Sequence, residues 1–217
     1  MIESPSINRR DQRREAILKI AQEVFLEEGF AAASMSTIAA RLGGSKGTLY
    51  NYFKSKDELF AAYIQETCSR IAEDTFDHAL TDDEPVEVAL QRVGEGLLSH
   101  IYSEWGVDNF RVLVAESKRA PELARAFYQA GPAIGRERLA AYFEQASRRG
   151  ALAVADFGRV AEQFISLCRG DTHLRLILSL IDTPSPEKIR ADVAFAVKAF
   201  MAAYGPSNSD VSDVKDT

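Results

Sequence analysis

The stretch Ser45-Lys46-Gly47-Thr48-Leu49-Tyr50-Asn51-Tyr52-Phe53 holds the residues best suited to recognition chemistry. At helical spacing, Leu49 and Phe53 lie four apart and share an inward face. Lys46, Thr48, Tyr50, Asn51 and Tyr52 are left pointing largely outward, so one edge carries a cation, hydroxyls and an amide. Gly47 withholds a side chain where another backbone has to approach closely. A core helix would not alternate roles in this way, whereas a rod lying in the major groove of a duplex would. No catalytic constellation competes. His78, His100 and His173 fall on separate helical stretches, and the chain has no HExxH, no GxSxG and no glycine-rich phosphate loop. Glu116 and His100 form a candidate acid–imidazole pair in the pocket, with a buried polar pair satisfying itself as the alternative. No metal or cofactor is expected.

The elements around this stretch are set by caps. Residues 9 to 28 place Ile17, Ala21, Val24 and Phe25, with Leu18 beside them, on one helical stripe. Gly29 ends that helix and lets Phe30 fold back. Ser34 caps a short helix through Leu42 with Met35, Ile38, Ala39 and Leu42 inward, and Gly43-Gly44 breaks it. Ser45 caps the next helix. Ser55-Lys56-Asp57-Glu58 reads as a capping box opening a long helix that buries Leu59, Phe60, Tyr63, Ile64 and Ile71. Two short helices joined by a glycine turn, braced by a longer helix on each side, hold the second short helix at a fixed angle to a duplex.

Charge is distributed to match. The net charge is −6 and the sequence pI about 5.2. Yet Arg9, Arg10, Arg13 and Arg14 crowd the start, and between Ser34 and Lys56 the charged residues are Arg41, Lys46, Lys54 and Lys56 with no acid among them. The acidic excess lies downstream of residue 60. A phosphate backbone responds to local potential, because salt screens charges beyond about 8–10 Å. The arginine run is open to two readings, a minor-groove arm or a solvated basic segment.

Downstream the pattern stays helical. Pro85 opens a helix to about Trp105, Asp108 caps another to about Arg119, and Pro121 opens a third, interrupted at Gly131-Pro132 and closed at Gly150. Asp156 caps a stretch to about Ile181, bent at Gly170. Ser185-Pro186-Glu187 begins the last helix, closed by Gly205-Pro206. The polar tail after residue 206 is expected to be disordered. Cys68 and Cys168, far apart in helical patterns, are expected as reduced packed thiols. No apolar run approaches the ~18 residues of a membrane span. The basic N-terminus has no apolar segment behind it, so a cytoplasmic location is expected.

The run from Gly29-Phe30 through Ser34-Met35, Ile38-Ala39, Leu42-Gly43 and Ser45 to Leu59 resembles the DNA-binding signature of the TetR family almost position for position. Gly44 departs from it, standing where the family usually has Val or another small apolar residue. The resemblance implies base or phosphate contacts for Lys46, Gly47 and Thr48. It implies phosphate, sugar or thymine-methyl contacts for Tyr50 and Tyr52, and phosphate contacts for Ser34, Ser36 and Lys56. Asn51 is open to two readings, adenine contact or solvation, and one of the two tyrosines has core packing as its alternative. More loosely, Val112 to Leu180 resembles the AefR-like ligand domain, with Ala115-Glu116-Ser117, Pro121-Glu122-Leu123 and Arg169-Gly170-Asp171.

The expectation is therefore an all-α chain. Residues 1–56 form a three-helix DNA-binding bundle with its helix-turn-helix and basic arm, 57–206 a helical effector-binding and dimerisation domain, and 207–217 a tail. One short helix reads few base pairs, so specificity requires a homodimer on a palindromic double-stranded operator. The stripe Ile189, Val193, Ala196, Val197, Phe200 and Met201, with Phe157, Val160 and Phe164 before it, is the expected dimer surface; burial within the monomer is the alternative. His100, Trp105, Phe110, Phe127, Tyr128, Tyr142 and Phe143 are candidate walls of a small-molecule effector pocket, with plain core packing as their alternative. The function expected is a ligand-responsive repressor; the rival is a helical ligand-binding or interaction protein with no DNA role.

Overall fold

A computed structural model describes residues 9–77, 79–80 and 84–206. The expected disorder after residue 206 and the histidine at 78 lie outside the described residues. Among these residues the chain is helical with no strand, in eleven α-helices and one π-helical turn. They are α1 (Arg9–Ala32), α2 (Met35–Arg41), α3 (Lys46–Tyr50), α4 (Lys56–Ala72), the turn Glu73–Asp77, α5 (Val86–Ile101), α6 (Glu104–Glu116), α7 (Pro121–Ala130), α8 (Pro132–Arg148), α9 (Phe157–Arg169), α10 (Thr172–Ile177) and α11 (Pro186–Tyr204). No helix among the described residues is long and apolar enough to cross a membrane.

The chain packs as two compact units, each built from separated segments. Of the described residues, the first holds those up to Arg70 together with Asp108–Gly131, and the second those of Ile71–Val107 and from Pro132 onward. The first unit's core joins Ile17, Val24 and Phe25 of α1, Ile38 of α2, Leu49 of α3, and Leu59, Phe60 and Ile64 of α4. Gly29 takes φ 75°, a left-handed backbone open mainly to glycine, and this breaks the regular run of α1. Phe30 consequently turns inward, 4.8 Å from the Phe60 ring and 5.6 Å from Phe25. Leu113 of α6 and Leu123 of α7 are buried as well.

The second unit is organised around Phe200 of α11. Its ring stacks on Phe143 of α8 at 5.1 Å and meets Phe164 of α9 edge-on at 5.3 Å. Gly94 of α5 lets α11 approach closely, because a Cβ there would lie 2.5 Å from a methyl of Val193. Burial holds the Cys168 thiol up at about 12, and in the first unit the Cys68 thiol at about 11, so both stay protonated.

Several boundaries differ from the sequence expectation: α9 and α10 are separate helices where one bent stretch is expected, and the division between α5 and α6 falls elsewhere. The helix expected to start at Asp108 begins at Glu104, because the Ser103 hydroxyl accepts the Gly106 N–H at 3.0 Å and caps it. Asp108 instead pairs with Arg111 inside the helix. The preceding helix ends at Ile101 with no glycine or proline to mark it.

Candidate nucleic-acid interface

Each end of α2 and α3 is closed by a specific hydrogen bond. The Ser34 hydroxyl accepts the Thr37 N–H at 3.1 Å, and the Ser45 hydroxyl accepts the Thr48 N–H at 3.1 Å. At the far end of α2, the Gly43 N–H bonds to the Ala40 carbonyl and the Gly44 N–H to the Ala39 carbonyl, with Gly43 at φ 65°. This is the left-handed termination that turns a chain sharply into a new helix. Helix α3 therefore starts from a fixed point.

Its faces divide as the spacing predicts. Leu49 is fully buried and Phe53 nearly so, whereas Lys46, Gly47, Tyr50 and Asn51 are exposed and Thr48 and Tyr52 are half-buried. Tyr50 stands 43% exposed, so of the two tyrosines it is Tyr52 that packs more closely. Ser36 is exposed on α2, and the half-buried Ser34 spends its hydroxyl on the cap.

Lys56 is placed differently from its expected phosphate role. Its ammonium donates to the carbonyls of Phe30, Ala31 and Ala33, and lies 4.4 Å from the centre of the Phe30 ring. A lysine has three N–H donors, and all three are engaged. It fastens the end of α1 to the start of α4. Desolvation lowers its pKa from the ordinary value, and Asp57 beside it works against that fall. Lys56→Met is expected to leave those carbonyls unpaired and to cost roughly 1–3 kcal/mol, read as a lower urea midpoint with an unchanged slope. The Ser55 box is half formed: Ser55 caps the Glu58 N–H, while the Glu58 carboxylate accepts the N–H of Lys54 at 2.7 Å.

Arg41 is occupied too, by Glu27 at 2.6 Å and Glu28 at 3.5 Å. Among the described residues, Lys46 and Lys54 are the cations between Ser34 and Lys56 that carry no acidic partner. The arginine run lies in the first turns of α1.

The candidate pocket residues are divided between the two units. Phe110, Phe127 and Tyr128 belong to the first unit, where Phe110 and Phe127 meet edge-on at 6.2 Å. His100, Trp105, Tyr142 and Phe143 belong to the second, and Phe143 is core packing on Phe200. Tyr142 is buried with no partner for its hydroxyl, as is the Thr75 hydroxyl in the same unit. Burial keeps the Tyr142 phenol protonated, at about 12. A surface groove of about 700 Å³ between α5 and α11 is lined by Val88, Gln91, Val197 and Met201, none of them candidate pocket residues.

The expected dimer stripe requires a correction. Val160, Phe164, Ile189, Val193, Ala196, Val197 and Phe200 are buried within the chain's own core, and Phe157 and Met201 pack against it. The intramolecular partners α5 and α8 claim that face, so it is not free for a second copy. A different apolar set is exposed: Phe195 at 77%, with Leu167, Leu174, Leu178 and Leu180 between 45% and 66%. On α11, Ala191, Phe195 and Ala202 share one exposed line. The sequence signal for it was a second stripe, muted because alanines frame its single large residue.

Comparison with known proteins agrees with this architecture. The family model described as bacterial regulatory proteins, tetR family, matches residues 17–63, and that of the AefR-like transcriptional repressor C-terminal domain matches residues 88–206. The transcriptional activator FasR of Mycolicibacterium smegmatis is 50% identical over 56 residues, covering 26% of each chain. The transcriptional repressor AcnR of Corynebacterium diphtheriae is 31% identical over 70 residues, 32% of this chain and 37% of that one. The matched region thus spans about a quarter to about a third of these curated relatives. Among solved structures, a TetR-family regulator from Mesorhizobium loti superposes with a TM-score of 0.85 at 24% identity, over 92% of this chain and 100% of that one. The flavonoid-responsive regulator FrrA superposes at 0.74 with 34% identity, over 90% of this chain and 98% of that one.

Proposed function

Since the chain belongs to the TetR family, with an AefR-like C-terminal domain, we propose that it is a ligand-responsive repressor that binds a palindromic DNA operator as a homodimer. The observation that carries this is the two-faced α3. Leu49 and Phe53 hold it on the core, and Lys46, Gly47, Tyr50 and Asn51 are left exposed along one edge. Such an edge fits the major groove, where lysine and amide groups read base edges and flanking phosphates. Ser36, Thr48 and Tyr52 supply neighbouring contacts.

Two copies pair through the exposed faces of α9, α10 and α11, with Phe195 at the centre and Leu167, Leu174, Leu178 and Leu180 around it. Exposed apolar side chains of this number mark an interaction surface, and a two-fold pairing gives the two heads the symmetry of a palindrome. The effector binds in the second unit, where the Tyr142 and Thr75 hydroxyls offer neutral, unused hydrogen-bonding groups. The similarity to FrrA makes flavonoid-like aromatics the first compounds to try. An effector that binds one arrangement of the dimer better than another shifts it away from operator geometry.

The test is a mobility-shift titration across salt, on DNA from upstream of the gene, with wild type and a folded Lys46→Ala/Tyr50→Ala variant. A repressor shows steep loss of affinity with salt and a preference for a palindrome, and the double variant loses about a hundredfold or more, each base or phosphate contact being worth roughly 1–3 kcal/mol. Equal binding by the two proteins, or indifference to sequence, sinks the reading.

A further inference from the structure

Gly44 lacks a side chain for a reason its backbone does not supply. Gly43 needs its left-handed φ, but Gly44 is outside that region, and any residue would fit its conformation. What stands beside it is Arg13 of α1. A Cβ at position 44 would lie 3.0 Å from the Arg13 Nη2. The guanidinium thus occupies the space a side chain at the turn would take, directly before the Ser45 cap of α3.

Arg13 and Arg14 bracket α3. Arg14 lies 5.7 Å from the centre of the Phe53 ring, at the helix's far end, and its guanidinium is neutralised by Glu66 at 2.7 Å. Arg13 has no acidic partner among the described residues, and Lys46, two positions past Gly44, has none either. Two cations are therefore set at the entry to α3 with no acidic partner among the described residues. A half-buried guanidinium left in this state is best compensated by an anion from outside.

We propose that Arg13, seated by the missing side chain at Gly44, clamps a phosphate of the DNA backbone at the turn between α2 and α3. This rests on the DNA-binding reading and adds to it a contact from outside the helix-turn-helix. The pairing also accounts for the glycine: a side chain there would meet the guanidinium at 3.0 Å and oblige it to shift from this seat.

The experiment measures operator affinity against salt for wild type, Arg13→Gln, Arg13→Lys, Gly44→Val and the Arg13→Gln/Gly44→Val pair. The probe is the duplex that the wild-type protein selects from a randomised pool. Each phosphate contact contributes about 0.9 to the slope of log affinity on log salt. A dimer losing one contact per head should show a slope shallower by about 1.8. Over a fourfold change in salt that is about a tenfold difference in the effect of the substitution. Arg13→Gln and Gly44→Val should show the same reduction, the pair no more than either alone, and Arg13→Lys should retain the slope. Should Arg13→Gln lower thermal stability and leave the slope untouched, Arg13 merely fills space and the proposal falls, with DNA binding intact. Should the wild type select no duplex, the regulator reading fails first, and this one with it.

Discussion

Phe195→Lys is expected to convert the protein from dimer to monomer at micromolar concentration, and to reduce operator affinity by at least a hundredfold. Phe195 is 77% exposed in the single chain, the most exposed large apolar residue among those described. An aromatic anchor at the centre of an interface is typically worth 2 kcal/mol or more on truncation. Two-fold symmetry counts the loss twice, so roughly 4 kcal/mol, or about a thousandfold in dimer dissociation, is at stake. Lysine adds the cost of facing its own symmetry copy. The effect on DNA follows because one head alone contacts only half of the site. Sedimentation or light scattering reads the first effect and a mobility shift the second. The folded monomer should melt much as the parent chain does at low concentration, because Phe195 contributes little to the core. A variant that stays dimeric removes the α9–α11 surface from the dimer proposal.

Phe200→Ala is expected to do the reverse, striking the fold and only through it the assembly. Phe200 is fully buried and is in ring contact with Phe143, Phe164 and Tyr204, the last at 5.1 Å. Emptying such a site costs about 3–5 kcal/mol, transfer loss and cavity together. Against a total stability of about 5–15 kcal/mol, that is a large share. Calorimetry should show the transition lowered by roughly 10–15 °C, on a scale of a few degrees per kcal/mol. Residues five apart on one helix thus have opposite signatures: one changes association at constant stability, the other stability itself. A drop below about 1 kcal/mol for Phe200→Ala means that the aromatic core of the second unit is not packed as described.

Local signals in the sequence carry through to the structure better than long-range ones. Caps at Ser34, Ser45, Asp156 and Ser185 and breaks at Gly29 and Gly43 are contained within four or five residues of chain, and each forms as its pattern predicts, whereas the bend expected at Gly170 is a full stop between α9 and α10. The two faces of α3 follow from Leu49 and Phe53 alone. Periodicity says which stripe is apolar but not what covers it. For α11 the strongest stripe meets α5 and α9 of the same chain, with Phe143 of α8 against Phe200, and the weaker one around Phe195 is left outside. The family resemblance gives Lys56 a phosphate contact, yet the carbonyls it holds are more than twenty residues away. The start of α6 was missed because Ser103 and Asp108 are both competent caps, and only packing chooses between them.

The interleaving of the two units has a consequence for exchange between regulators. Arg119 of the later segment pairs with Asp57 at 3.3 Å, and Leu113 and Leu123 are buried alongside α1 to α4 in the same unit. A graft that joined residues 1–70 to a foreign sensor would strip the reading head of α7 and most of α6, leaving the partners of those helices bare. Moving such a head intact therefore calls for two separate stretches of chain to travel together.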